Sequence, residues 1–217
     1  MARRLPVYVL IDVSGSMQNE PIQAVQVGLE AMLQSLKHDP YALDSVWLSL
    51  ISYGTTAEVL VPLTELEKFT LPRLEVKDKA AMTNLGAGLK TLCEQYDAEI
   101  HKNTPNKNKK GDWRPILIVM TDGKPSDVQE YNKMVERIGK DYNFARIVGC
   151  AAGPKARVEP LEKLTAEIHV LSTMDENDFK KFWCWFSTML KGSSQAPSTP
   201  TTVQLPPPPS SSSPGLY

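Results

Sequence analysis

The chain has 217 residues, 41% of them hydrophobic, and carries 24 basic against 25 acidic side chains for a formal net charge of −1. That length suits one ordinary domain plus a tail, with enough apolar residues for a buried core. Balanced charge supplies no general field for nucleic acid, an odd set of widely spaced cysteines (Cys93, Cys150, Cys184) argues against a disulfide framework, and no stretch approaches the ~20 apolar residues that span a bilayer.

The first element is the apolar run Leu5 to Ile11. Behind Met1-Ala2-Arg3-Arg4 it mimics a signal peptide, but it meets Asp12 with no small-residue cleavage site and reads as a buried strand. It runs out into Asp12-Val13-Ser14-Gly15-Ser16. Side chains spaced by two in an extended stretch point the same way, so one carboxylate and two hydroxyls can converge. Such hard oxygens suit Mg²⁺ and neither zinc nor a soft metal. A helix follows over 21–37, with Pro21 in its first turn and Ile22, Val25, Leu29, Met32, Leu33 and Leu36 at helical spacing. Strands over 45–52 and 57–63 are joined through Tyr53-Gly54-Thr55-Thr56, a hairpin that makes the second an antiparallel edge.

The connection over 65–81 is long and mixed, as a loop feeding a functional rim would be. Thr83 then stands at the start of a helix over 84–99. The basic loop with Lys102, Lys107, Lys109, Lys110 and Arg114 precedes a strand, which places it at the opposite end of the sheet, solvated. The strand over 114–121 ends in Thr121-Asp122-Gly123-Lys124-Pro125, a second carboxylate followed by turn residues. Ser126 to Gln129 reads as a capping box for a helix over 127–140. A strand at 144–151, a helix near 157–166 and a short strand at 168–171 come next. The last helix, from Glu176 to about Leu190, shows the apolar stripe Phe179, Phe182, Trp183, Phe186 and Leu190. Trp185 falls off that stripe and is expected to cover loop side chains. Cys150 and Cys184 read as buried thiols of a reducing compartment. From Gly192 onward Ser, Thr and Pro dominate, a composition that cannot offset its ordering entropy. The expected organisation is a domain over 1–191 and a disordered tether over 192–217, whose Pro206 to Pro209 run could alternatively serve as a proline-rich ligand.

Alternating strands and helices predict a doubly wound, mainly parallel α/β sheet with one antiparallel edge strand. Functional loops of such sheets gather at the carboxyl ends of the strands. Asp-x-Ser-x-Ser after the first strand, Thr83 in Thr-Asn-Leu-Gly and Asp122 in Thr-Asp-Gly, in that order, resemble the metal-ion-dependent adhesion site (MIDAS) of a von Willebrand factor A domain, a Rossmann-like fold. More narrowly, Arg3-Arg4-Leu5-Pro6-Val7-Tyr8-Val9-Leu10-Ile11-Asp12-Val13-Ser14-Gly15-Ser16-Met17 is similar to bacterial TerY-like proteins associated with tellurium resistance, a likeness covering roughly residues 4–191. The resemblance implies a metal set of Asp12, Ser14, Ser16, Thr83 and Asp122 that is also the partner-binding rim. It implies a divalent cation, Mg²⁺ first with Mn²⁺ or Ca²⁺ as alternatives, and a protein partner whose Asp or Glu completes the coordination. A cytoplasmic stress-response role beside a kinase or phosphatase follows from the narrower likeness, with no nucleic acid or membrane partner.

Competing readings exist. Asp12 and Asp122 could simply cap loops, and Thr83 its helix, leaving a scaffold without a metal. A metal-dependent phosphohydrolase could use Asp12 after a strand, but such enzymes want a second Asp where Ser14 stands. No histidine is suitably placed to activate Ser14 or Ser16, because His38 ends a helix, His101 lies in a polar loop and His169 in the last strand. Gly86-Ala87-Gly88 completes no phosphate motif. The expectation is a binding protein and not an enzyme.

Overall fold

The computed structural model describes residues 3–102, 111–154 and 156–195. Alternation along the two central strands divides the core. In β1 (Leu5–Asp12), Leu5, Val7, Val9 and Ile11 face one apolar cluster while Tyr8 and Leu10 face the other. In β4 (Ile116–Thr121), Ile116, Ile118 and Met120 oppose Leu117 and Val119 in the same way. Every residue of both strands is buried, the pattern of a parallel sheet covered on both faces. With β2 (Val46–Tyr53), β3 (Ala57–Glu65), β5 (Arg146–Ala152) and β6 (Ile168–Leu171), the sheet has the order β3-β2-β1-β4-β5-β6. All neighbours are parallel except β2 and β3. The expected doubly wound sheet with one antiparallel edge is therefore the observed fold.

One face carries α1 (Glu20–Lys37), α2 (Pro40–Ser45) and α6 (Glu176–Gln195). Leu29, Met32 and Leu36 share that cluster with Phe179, Trp183 and Phe186. The helices approach so closely at Gly28 that a Cβ there would stand 2.4 Å from Trp183 Cδ1. The other face carries α3 (Leu85–Glu99), α4 (Val128–Asp141) and α5 (Glu159–Glu162) through Leu89, Tyr131, Met134, Ile138 and Leu161.

Several expectations are corrected. Helix α2 is additional. Its cue was Asp39-Pro40, because Asp39 accepts a hydrogen bond from Ala42 N at 2.9 Å and Pro40 occupies the first turn. The helix expected over 157–166 shrinks to Glu159–Glu162, since Thr165 turns its hydroxyl to Ile147 O at 2.6 Å and steers the chain into β6. Helix α6 continues to Gln195, past its expected end near Leu190. Cys184 is exposed, on the outer face of α6, whereas Cys93 and Cys150 are buried. Trp185 is half-buried and covers a strand residue, His169, at 4.1 Å between ring centroids. Arg114 is exposed in the loop before β4, as expected, and in addition donates to Phe144 O at 2.5 Å, which ties the entries of β4 and β5. Lys107, Lys109 and Lys110, and the expected tether beyond Gln195, lie outside the described residues. Among the described residues no helix is long and apolar enough to cross a membrane.

Candidate metal centre

Strands β1 and β4 are neighbours, with Ile11 beside Met120. The chain leaves β1 through α1 on one face and enters β4 from α3 on the other. Their carboxyl ends thus form the switch point of the sheet, where open α/β folds place ligands. Asp12 is the last residue of β1 and Asp122 the first after β4. Both are buried, Asp12 completely and Asp122 to 9% exposure.

Asp12 is held from both sides. Ser14 N donates to its Oδ1 at 2.8 Å and the Thr121 hydroxyl to its Oδ2 at 3.1 Å. Ser14 Oγ and Ser16 Oγ lie 3.2 Å apart. They converge as the sequence predicts, but by a different route. Gly15–Met17 forms a 3₁₀ turn, anchored by the buried Met17, so curvature and not extended alternation brings Ser16 back. The turn leans on the long loop: Gly15 N donates to Ala81 O at 3.1 Å, and a Cβ on Gly15 would stand 2.0 Å from Lys79 O. Glycine is obligatory at such an approach.

Thr83 joins the rim through a backbone clasp. Thr83 N donates to Ser126 Oγ at 3.2 Å, and Ser126 N to Thr83 O at 2.8 Å. The Thr83 hydroxyl lies 3.8 Å from where a Gly123 Cβ would be, against the loop that bears Asp122. Asn84 N bonds Gly54 O at 3.0 Å and Asn84 Nδ2 bonds Thr55 O at 2.8 Å, which fixes the same loop to the β2–β3 hairpin.

The expected capping box of α4 does not form. Asp127 turns away from its own helix and accepts from Gly86 N at 3.0 Å and Ala87 N at 2.8 Å, capping α3 from the neighbouring loop. Thr83 caps nothing with its side chain; Asn84 is the residue at that cap position. Three supports went unseen in the sequence: Thr121, Asp127 and Tyr53, whose hydroxyl donates to Met120 O at 2.7 Å beneath the site. Thr121 and Asp127 stood within the Thr-Asp-Gly and Ser-Asp strings, but their partners are remote in sequence.

Electrostatics set the chemistry. Burial pushes the Asp12 carboxyl up to about 6, and the facing Asp122 carboxylate adds to that, against the pull of hydrogen bonds from Ser14 and Thr121. Burial also raises Asp122, opposed by a hydrogen bond from Ser16. Two apposed carboxylates with three hydroxyl residues are an all-oxygen donor set that fits a hard dication. Among the described residues no cluster of three or more His, Cys, Asp or Glu gathers that would hold a metal by itself. Asp12 and Ser14 form the buried floor, while Ser16 is exposed and Thr83 half-exposed, so the rim opens on one side. The three histidines are engaged elsewhere: His38 with Gln34 O, His101 beside Asp112, His169 against Trp185.

A family model, the von Willebrand factor type A domain, matches residues 7–182. No curated protein matches the chain significantly. Solved structures of similar fold include proximal thread matrix protein 1 from the mussel byssus with a zinc-occupied MIDAS motif, at 18% identity and TM-score 0.56 over 84% of this chain and 46% of that one. The pilus adhesin SpaC from Lactobacillus rhamnosus GG aligns at 10% identity and TM-score 0.64, over 88% of this chain and 31% of that one. The PilB minor pilin from Streptococcus sanguinis aligns at 10% identity and TM-score 0.63, over 91% and 64% respectively. The chain thus spans less than two thirds of each of these proteins, and at such identities the likeness is one of fold.

Proposed function

Because this chain belongs to the von Willebrand factor type A domain family, we propose that it is a protein-binding module that presents a divalent cation to an acidic side chain of its partner. Asp12, Ser14, Ser16, Thr83 and Asp122 hold the ion. The observation that carries this reading is the pair of buried, mutually repelling carboxylates at the switch point, with hydroxyls on an open rim. A dication relieves that repulsion. Both Asp12 oxygens already accept hydrogen bonds, which lessens how fully Asp12 neutralises the ion. A carboxylate from a partner is then the best remaining ligand for a hard cation.

All-oxygen donors favour Mg²⁺, then Mn²⁺ or Ca²⁺. The mussel protein holds zinc in its motif, so zinc belongs in the comparison. The likeness to TerY-like proteins extends the proposal to a cytoplasmic role in tellurite or related stress resistance, with a kinase or phosphatase of the same system as partner. Catalysis has no place in it: Ser14 stands where a phosphohydrolase needs its second Asp, and purified protein with Mg²⁺ should release no phosphate above background.

Thermal melting tests the metal site. Mg²⁺ should raise the melting temperature, since it binds only the folded state, by about 3 kcal/mol of added stability at a hundredfold excess over its dissociation constant. Asp12→Ala should remove that rise and keep the fold. A variant that responds to Mg²⁺, Mn²⁺, Ca²⁺ and Zn²⁺ as the parent does would refute the assignment.

A further inference from the structure

Five large apolar side chains stand out as exposed among the described residues: Tyr41, Leu43, Met82, Val128 and Val170. Two of them flank the metal rim. Met82, 58% exposed, directly precedes Thr83; Val128, 54% exposed, opens α4 just beyond Ser126 and Asp127. The Thr83–Ser126 clasp holds their loops side by side, and the Asp127 bonds to Gly86 and Ala87 fix both helix starts. Neither side chain is placed there for the core, since the clusters on both faces of the sheet close without them.

Two cations share this sector. Lys79 lies in the loop that touches Gly15, and Lys124 follows Asp122 by two residues; both are exposed. Among the described residues neither takes part in an ion pair, whereas Lys77 is paired with Glu58 at 2.6 Å. The adjacent acid, Asp78, has turned a carboxylate oxygen to Ala80 N at 2.9 Å. Toward the β6 edge the character reverses, and Glu20, Asp175 and Glu176 line a cavity of about 500 Å³.

We infer that the metal rim recognises an acidic protein segment in which the coordinating Asp or Glu is neighboured by an apolar residue. Met82 and Val128 cover the apolar residue, and Lys79 and Lys124 meet additional acids of the segment. The acidic side toward β6 repels the same segment and so sets which way it lies. Charge complementarity and continuity with the metal rim both select this occupant over a basic or uncharged one. The inference rests on the metal-binding reading and names the partner's chemistry.

The experiment is selection of phage-displayed peptides with a fixed central Asp on the full chain, in Mg²⁺ and in chelator. The parent protein should enrich peptides with an apolar residue beside the Asp and further acids around it, only in Mg²⁺. Met82→Ser combined with Val128→Ser should lose the apolar preference and bind the parent's best peptide about tenfold more weakly. Lys79→Glu combined with Lys124→Glu should lose the acidic preference. Both double variants should keep the parent's rise in melting temperature with Mg²⁺, which shows them folded and metal-competent. Metal-dependent peptides without these preferences, or preferences that survive the substitutions, would overturn the inference and leave the metal-binding reading standing. Failure of the parent to retain any peptide in a metal-dependent way would overturn both.

Discussion

Asp12 carries the sharpest consequence at the scale of a single residue. Its folded carboxyl titrates near 6 against an ordinary 3.8, so the metal-free fold holds this proton more tightly than the unfolded chain. The linked stability is fully present below about pH 4 and is lost as pH rises through 6, a change on the order of 3 kcal/mol. A cation needs the ionised carboxylate and reverses the trend. The gain in melting temperature on adding Mg²⁺ should therefore be small at about pH 5 and full at about pH 7.5. Asp12→Asn offers the complementary check. It keeps an oxygen acceptor for Ser14 N but no charge, and should exceed the parent in metal-free stability at about pH 7.5 while ignoring Mg²⁺. A metal-induced gain that is equal at both pH values would show that Asp12 does not control the site.

Among the elements, the loops of the rim matter through the helices they cap. Asp127 belongs to the β4–α4 loop but satisfies the free amides at the start of α3, where a carboxylate also meets the positive end of the helix. Asp127→Ala should cost about 1–2 kcal/mol of stability, read as a lowered denaturant midpoint. It should also weaken Mg²⁺ binding, because the Thr83 loop and the Asp122 loop are joined at the same point. Loss of stability with unchanged metal affinity would mean that the clasp at Ser126 suffices alone. Asn19 plays a comparable part on the other loop. It is the only non-glycine residue with positive φ among the described residues, at 67°, and it turns the chain from the 3₁₀ turn into α1.

For the molecule as a whole, the domain should end with α6. Ser193 and Ser194 still bond backward to Met189 O and Lys191 O, and Lys191 Nζ reaches Ser35 Oγ at 2.8 Å on α1. Truncation after Gln195 should leave the denaturant midpoint unchanged, because the Ser- and Pro-rich remainder has no packable apolar pattern. Truncation after Leu190 should lower it. A loss above about 1 kcal/mol in the first truncation would indicate that the tail docks.

The sequence alone determined the six strands, five of the helices and the doubly wound sheet, and it singled out Asp12, Ser14, Ser16, Thr83 and Asp122 as the candidate site, because apolar periodicity and turn chemistry are local and the strings that carry Asp12 and Asp122 sit at strand ends. Tertiary structure decided what depends on remote partners. It replaced an extended Asp12–Ser16 segment by a 3₁₀ turn fitted against Lys79, since only the packed loop shows what space Gly15 must leave. It moved Asp127 from its own helix to α3, since the free amides of Gly86 and Ala87 come within reach only after folding. It exposed Cys184 within the aromatic helix, because α6 buries one face only. It brought Asp12 and Asp122 together across the β1–β4 junction, and the burial that raises both carboxyls exists only there.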